Sequence, residues 1–314
     1  MRKILVTAIS GNVSNGILKA LLDTDDIVYG CDIYDYPVGM DKVVKYWKSD
    51  MATSDKYIKN LLTKCKEYEI THLIPVNELE IREIRKNLLL FEEAGISVII
   101  NNPCIIDTFL DKYKTAHFLK KLDGIYVPDT CFYRDFVEDG KQYIVKLNNS
   151  CGSKLLKIFT KKQELDELGI NENECVIQEY IDEENEEYTV GVFSDGIQVS
   201  TIIFKRKLEH GYTSFVELVE DESIEKMAEK IAKEIDLKGY INIQLRKHDT
   251  KNYIFEINPR ISGTVYFRHM LGFKDVIWWL NLLDGKEVKP YICTYSKAVG
   301  MRELSEKYVE LLKK

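Results

Sequence analysis

Residues 240–260 read YINIQLRKHDTKNYIFEINPR. Two strand-like runs, Tyr240 to Arg246 and Tyr253 to Ile257, flank the polar segment His248-Asp249-Thr250-Lys251-Asn252, the pattern of an antiparallel hairpin. With the turn centred near Thr250, Gln244 lies directly across from Glu256. Asn258, two residues farther on, shares that face, because side chains alternate along a strand. Three oxygen-bearing side chains then converge, with Arg260 one step beyond. Oxygen donors are what Mg²⁺ prefers. Only one of the three is charged, so most of the countercharge must come from phosphates, which favours a metal carried by a nucleotide over a free metal site. Spacing alone equally allows a polar surface hairpin in which Asn258-Pro259 opens a turn.

Outward from this hairpin the chain changes texture. Short strands dominate from Tyr143: 143–147, 155–159, 175–179, 187–193, 197–204 and 212–218 precede the hairpin, with helices near 161–168 and 223–236. That is an α+β pattern. The first third instead alternates strands with helices: a run from Lys3 to Ala8, a helix from Ile17, a strand from Ile27 to Cys31, a helix over 56–68, a strand over 71–76, a helix from Glu80 to Ala94 and a strand from Ile96 to Ile100. Such alternation implies a parallel sheet with helices on both faces. A helix from Asp111 to Leu122 follows Asn101-Asn102-Pro103, and the boundary is expected near residue 107. The acidic run Asp182 to Glu187 reads mostly as a solvated turn.

The whole chain is 314 residues long, 45% hydrophobic and 30% charged, as in ordinary globular proteins. Its formal net charge of −7 argues against nucleic acid as the main partner, since no basic surplus neutralises phosphates. A local basic pocket for a small phosphorylated ligand stays open. Seven scattered cysteines form no C-x-x-C pair and read as reduced thiols. The N-terminus MRKILVTAIS has too short an apolar run for a signal peptide, and no stretch approaches the ~20 residues of a membrane helix. The expectation is a soluble, cytoplasmic protein with no membrane partner.

Gln244, followed by Phe255-Glu256-Ile257-Asn258-Pro259-Arg260-Ile261-Ser262-Gly263, resembles the metal-binding end of the ATP-grasp superfamily, closest to its carbamoyl-phosphate-synthase-like and biotin-carboxylase-like branch. Asp111-Lys112, opening a helix, and Tyr143-Ile144-Val145-Lys146, ending a strand, resemble the places of two phosphate-binding lysines. A compact ammonium suits that role. Asn148-Asn149-Ser150-Cys151-Gly152-Ser153-Lys154 stands where the family has a glycine-rich lid. Only Gly152 remains of several glycines, and Ser150 and Ser153 offer hydroxyls instead. Val176-Ile177-Gln178-Glu179-Tyr180-Ile181 resembles the hinge whose backbone at 179–181 pairs with adenine. Glu187, heading Glu187-Tyr188-Thr189-Val190, matches the glutamate that takes the ribose hydroxyls, a role Glu179 could share.

The resemblance implies an α/β Rossmann-like pre-ATP-grasp domain over 1–107, then an α+β ATP-grasp fold with ATP between two lobes. The small lobe and linker helix span 108–181, the large lobe 182–285, and a tail ending in a helix from about Arg302 spans 286–314. It implies ATP with two Mg²⁺ (or Mn²⁺) ions on Gln244, Glu256 and Asn258. It also implies a substrate carboxylate activated as an acyl-phosphate, with ADP released, for attack by an amine, a thiol or a similar nucleophile. Lys112, Lys146 and Arg260 would share the developing charge. Lys205-Arg206-Lys207 and Arg268-His269 are candidates for an acceptor carboxylate, or equally exposed basic residues at the ends of elements. A homodimer is expected on general grounds. Two alternatives stand beside this: an ATP-binding protein without turnover, from the glycine-poor lid, and an NAD(P)-dependent enzyme. The latter rests on Ser10-Gly11, Gly16 and Cys31-Asp32, which imitate part of a dinucleotide fingerprint but lack its G-x-G-x-x-G spacing.

Overall fold

The computed structural model describes residues 1–149, 157–182 and 186–303. The chain divides into two compact units, one of Met1–Ile100, Lys207–Glu217 and the chain from Ile261, the other of Asn101–Arg206 and Leu218–Arg260.

The first unit opens with β1 (Lys3–Val6), α1 (Asn12–Leu21), β2 (Ile27–Asp32), β3 (Lys45–Lys48), α2 (Tyr57–Glu67), β4 (His72–Ile74), α3 (Glu78–Lys86), α4 (Leu88–Glu93) and β5 (Ser97–Val98). The strands form one parallel sheet in the order β3-β2-β1-β4-β5, as the strand–helix alternation requires. Its core gathers Leu5, Cys31, Leu61, Leu73, Ile84 and Phe91. The single helix expected from Glu80 to Ala94 is two. Asn77 caps α3 early, accepting from Leu79 N at 2.9 Å while Glu80 reaches back to Asn77 N at 3.2 Å. Asn87 breaks the run by donating its side-chain amide to Glu83 O at 2.9 Å, so the backbone turns out of the helix there.

The second unit contains α5 (Pro103–Phe109), α6 (Lys112–Leu119), β6 (Thr130–Phe132), β7 (Tyr143–Leu147), β8 (Lys157–Phe159), α7 (Lys162–Asp166), β9 (Cys175–Glu179), β10 (Glu187–Asp195) and β11 (Val199–Glu209). After β12 (Tyr212–Val219) come α8 (Glu222–Glu234), β13 (Lys238–His248) and β14 (Lys251–Asn258). A four-stranded sheet runs β6-β9-β7-β8, and β14-β13-β10-β11 lie side by side in another, with β13 and β14 forming the expected hairpin. Asp111 caps α6, and Asp221 caps α8 through Ser223 N and Ile224 N.

The first unit resumes with α9 (Val265–Met270), α10 (Asp275–Leu283) and β15 (Val299–Met301), which pairs antiparallel with β12. The helix expected from about Arg302 lies outside the described residues except at its start. There Arg302 continues past β15, donating its side chain to Thr213 O and Gly263 O. The partial fingerprint near the N-terminus has packing and loop-closing roles. A Cβ on Gly16 would stand 2.5 Å from Val265 Cγ1, so this glycine lets α1 lie close to α9. Asp32 closes the adjoining loops, its two oxygens accepting from Ser10 N at 2.7 Å and Tyr34 N at 3.2 Å.

Candidate functional site

Alternation gives the β14-β13-β10-β11 sheet two chemically opposite faces. Tyr188, Val190, Val192, Ile203, Ile241, Ile243, Leu245 and Ile257 point one way and bury against Ile224, Ala228 and Ile231 of α8. The opposite face is polar and runs in rows across the strands. One row joins Thr189, Gln244 and Glu256, and the next joins Gly191, Asn242 and Asn258. A third pairs Glu187 with Arg246. The predicted pairing of Gln244 with Glu256 is therefore present, and Asn258 shares their face.

The register is reached differently from the simple count. The turn is centred between Asp249 and Thr250, with His248 opposite Lys251, and Asp249 takes a positive φ of 52°. Continued without interruption, that ladder would put Gln244 opposite Phe255. The register instead shifts between Gln244 and Leu245, so Leu245 pairs with Ile254 and Gln244 with Glu256. Phe255 is the extra residue of a β-bulge. Ile254 and Ile257 stay in the core while Phe255 joins Glu256 toward the polar side. Its ring lies 5.3 Å from Lys146 Nζ and 5.7 Å from the Arg246 guanidinium carbon.

Glu187 sits between two arginines. Its Oε1 accepts from Arg206 Nε at 2.8 Å and Nη2 at 2.6 Å, and its Oε2 from Arg246 Nε at 3.1 Å and Nη2 at 2.8 Å. Burial pushes its carboxyl up, but the two guanidinium groups prevail and hold it below the usual carboxylate range. Arg206 Nη2 also reaches Gln244 Oε1 at 2.9 Å, and Arg246 Nη1 reaches Ile181 O at 2.5 Å. Arg206 is thus neither at the end of its strand nor exposed. It lies inside β11, with a side chain only 9% accessible, and links Glu187 to Gln244. Arg246 was absent from the sequence-based candidates, although it continues the Gln244 alternation by one step.

Lys146 comes from the other sheet. Tyr143 and Val145 turn to the core with Phe159, Leu165 and Ile177, which leaves Lys146 and Gln178 on the opposite face, joined at 2.6 Å. Burial, reinforced by the Lys112 and Arg246 charges, lowers the Lys146 ammonium to about 8, against the opposing pull of Glu256 and Glu187. Gln178 also donates to Thr130 Oγ1 at 3.1 Å. Asn148 secures the start of α6 next to Lys112, its O accepting from Lys112 N at 3.3 Å and its Oδ1 from Tyr113 N at 3.0 Å.

Lys112, Arg246, Glu187 and Glu256 therefore each act electrostatically on Lys146, while Arg206 ties Gln244 to Glu187 and Asn258 continues the face of Gln244 and Glu256. Arg260 follows β14 by two residues and is half-buried. The hinge expectation is narrowed: Glu179 N donates to Asp129 O at 2.7 Å and Tyr180 N to Gln142 O at 2.9 Å, so neither N–H points to a ligand. Glu179 pairs with Lys141 at 3.0 Å. Arg268 and His269 are corrected from acceptor-site candidates to buried structural residues. Arg268 is fully buried, on Asp275, Ser262 and Thr264, and His269 pairs with Asp23 at 2.8 Å. Ser150, Gly152 and Ser153 lie outside the described residues.

Among the described residues no three His, Cys, Asp or Glu side chains gather as a metal site. The donor face has one carboxylate, Glu256, and two amides, Gln244 and Asn258, while Lys112, Lys146, Arg206 and Arg246 outnumber Glu187 and Glu256. A cationic surplus beside neutral oxygen donors fits a polyphosphate that brings its own Mg²⁺. No helix is long and apolar enough to cross a membrane among the described residues.

Comparison with known proteins agrees with this geometry. Residues 109–264 match the model of the ATP-grasp domain. An uncharacterised protein of Methanocaldococcus jannaschii is 29% identical over 269 residues, covering 78% of this chain and 68% of that one. The carbamoyl phosphate synthase large chain of Halomonas eurihalina is 26% identical over 200 residues, covering 56% of this chain but only 18% of its own length. The biotin carboxylase domain of the Hydrogenobacter thermophilus 2-oxoglutarate carboxylase, a dimer holding MgADP and bicarbonate, has the same fold. Its TM-score is 0.78 at 16% identity, over 96% of this chain and 74% of that one. Residues 109–264 are thus similar to the ATP-grasp domain family, with carbamoyl phosphate synthase large chains among the sequence relatives and biotin carboxylases sharing the fold.

Proposed function

We propose that the chain is an ADP-forming ligase that activates a small carboxylic acid with Mg²⁺-ATP and joins it to an amine or similar nucleophile. The observation that carries this reading is the polar sheet face on which Gln244, Glu256 and Asn258 lie beside four cations in a chain of net charge −7. Mg²⁺ on these oxygens would neutralise phosphate charge and polarise the transferring group. Lys146 and Lys112 bind and orient the phosphates, and Glu256 with Asn258 fixes the end where the γ-phosphate must lie. Arg260, one step past Asn258, receives the negative charge of the acid. Little covalent work falls to the protein; positioning and electrostatic stabilisation do most of it. Residues 1–107 serve as the pre-ATP-grasp domain in this reading.

Hydroxylamine supplied with Mg²⁺-ATP and a panel of amino acids, dipeptides and sugar acids should trap the activated acid as a hydroxamate. Failure of every acid, with ATP still bound, would favour a nucleotide-binding protein without turnover, a reading motivated by the single glycine of the 148–154 segment.

A further inference from the structure

We infer that Asn101 is a positioning residue of the nucleotide site: its side-chain amide holds the backbone at Pro259 and so sets where Asn258 and Arg260 place their side chains. The inference rests on the nucleotide site proposed above and names a residue off the binding face that shapes it. β13 and β14 pair as far as Asn242 and Asn258. Position 259 is proline, which has no N–H with which to continue a ladder. Just past that last pair the buried side chain of Asn101 steps in. Its Nδ2 donates to Tyr240 O on β13 at 2.7 Å and to Pro259 O, just beyond β14, at 3.0 Å. One amide thus closes the open end of the hairpin with both of its hydrogens. The two carbonyls also fix which way the amide faces, since the flipped group would set its oxygen against them. Among the described residues its own Oδ1 is buried without a hydrogen-bond partner. A buried polar atom left unpaired costs stability, so packing alone is a poor reason for asparagine here. What asparagine supplies is a pair of donors at fixed spacing.

The clamp is itself anchored. Asn102 caps α5, accepting from Ile105 N at 3.0 Å, and Pro103 opens that helix. Ile105 and Phe109 of α5 share one core with Ile254 and Ile257 of β14. Asn101 is therefore fixed to the strand whose end it holds. Pro259 stands between Asn258 and Arg260, so a shift of its backbone re-aims both side chains. Gln244, Glu256 and the row of Glu187 with Arg246 lie farther along the paired strands and keep their register. Loss of the clamp should fall on the γ-phosphate and acid end of the site and spare the hinge end.

Calorimetric titration with Mg²⁺-ADP and with the Mg²⁺ complex of a non-hydrolysable ATP analogue tests this in wild type, Asn101→Leu and Asn101→Ser. Leucine keeps the volume and removes the donors; serine leaves room for water on the two carbonyls and decides the matter if the leucine variant does not fold. The variants should bind the ATP analogue at least about tenfold more weakly and Mg²⁺-ADP within about threefold of wild type. With an acid that supports turnover, the rate at saturating Mg²⁺-ATP should also fall at least about tenfold, since a misplacement of about 1 Å can cost about a hundredfold. A role in folding alone would lower the melting temperature and leave the ratio of the two affinities where it was. An unchanged ratio in a folded variant, or the unfolding of both variants, overturns the inference and leaves the nucleotide site standing. Absence of turnover by wild type with every acid removes the ligase reading, while the affinity ratio still decides the role of Asn101. Binding of neither nucleotide by wild type removes the site and this inference with it.

Discussion

Lys146 carries the clearest pH signature in the site. Its pKa lies near 8 because burial and the neighbouring Lys112 and Arg246 charges oppose its protonation more than Glu256 and Glu187 favour it. A bound polyphosphate prefers the ammonium and raises that pKa, so binding takes up a proton above pH 8. Affinity for Mg²⁺-ATP should be flat below pH 8 and then fall by up to about tenfold per pH unit. Calorimetry across pH 6.5 to 9.5 would reveal this, and Lys146→Arg should flatten the profile; a level wild-type profile counts against the role. For folding the sign is opposite. The lysine opposes stability while protonated in both states, and that penalty fades as pH rises from about 8 toward 10.5. Elsewhere, Asp275→Ala should cost about 3–5 kcal/mol in urea unfolding, because it strands the fully buried Arg268 charge. A loss under 1 kcal/mol would mean that Arg268 finds another partner.

At the scale of elements, two close fits decide what the strands and helices can do. Deleting Phe255 should keep the sheet, since Leu245–Ile254 and Gln244–Glu256 remain aligned once the bulge residue is gone. It should nevertheless weaken Mg²⁺-ATP binding, because Lys146 and Arg246 each lose their contact with that ring. Circular dichroism with calorimetry separates the two, and an unfolded deletion protein would refute the pairing argument. Gly16→Ala should destabilise by about 1–3 kcal/mol despite alanine's better helix propensity, since the new Cβ meets Val265. Val265→Ala should recover most of that loss in thermal melts. The pairing of Gln244 with Glu256 followed from a turn placed near Thr250; the actual turn lies about half a residue earlier, and the bulge restores the same pairing. The bulge itself was not legible, because nothing in Tyr253-Ile254-Phe255-Glu256 announces an extra residue until the partner strand fixes the count. Nor was Arg246 found, although it continues the Gln244 alternation by one step: its partners Glu187 and Ile181 lie about sixty residues earlier in the chain, and only strand pairing brings them together.

At the scale of the whole molecule, composition hid the site's electrostatics. A net charge of −7 spread over 314 residues gives no hint that Lys112, Lys146, Arg206 and Arg246 act on one small face. Those residues come from α6, β7, β11 and β13, far apart in the chain, and only pairing unites them. The parallel sheet of the first unit was readable because strand–helix alternation has few solutions. β3 and β15 escaped notice because they are short strands with exposed ends. A ligand that binds only the folded chain at a hundredfold excess over its Kd should stabilise it by about 2.7 kcal/mol. Mg²⁺-ATP should give that shift, and NAD(P) none. The most direct test of the central claim is ³¹P NMR of the protein turning over Mg²⁺-ATP with the carboxylic acid and amine panel. The account predicts ADP and inorganic phosphate, dependent on the acid and lost in Glu256→Ala; AMP and pyrophosphate would contradict it.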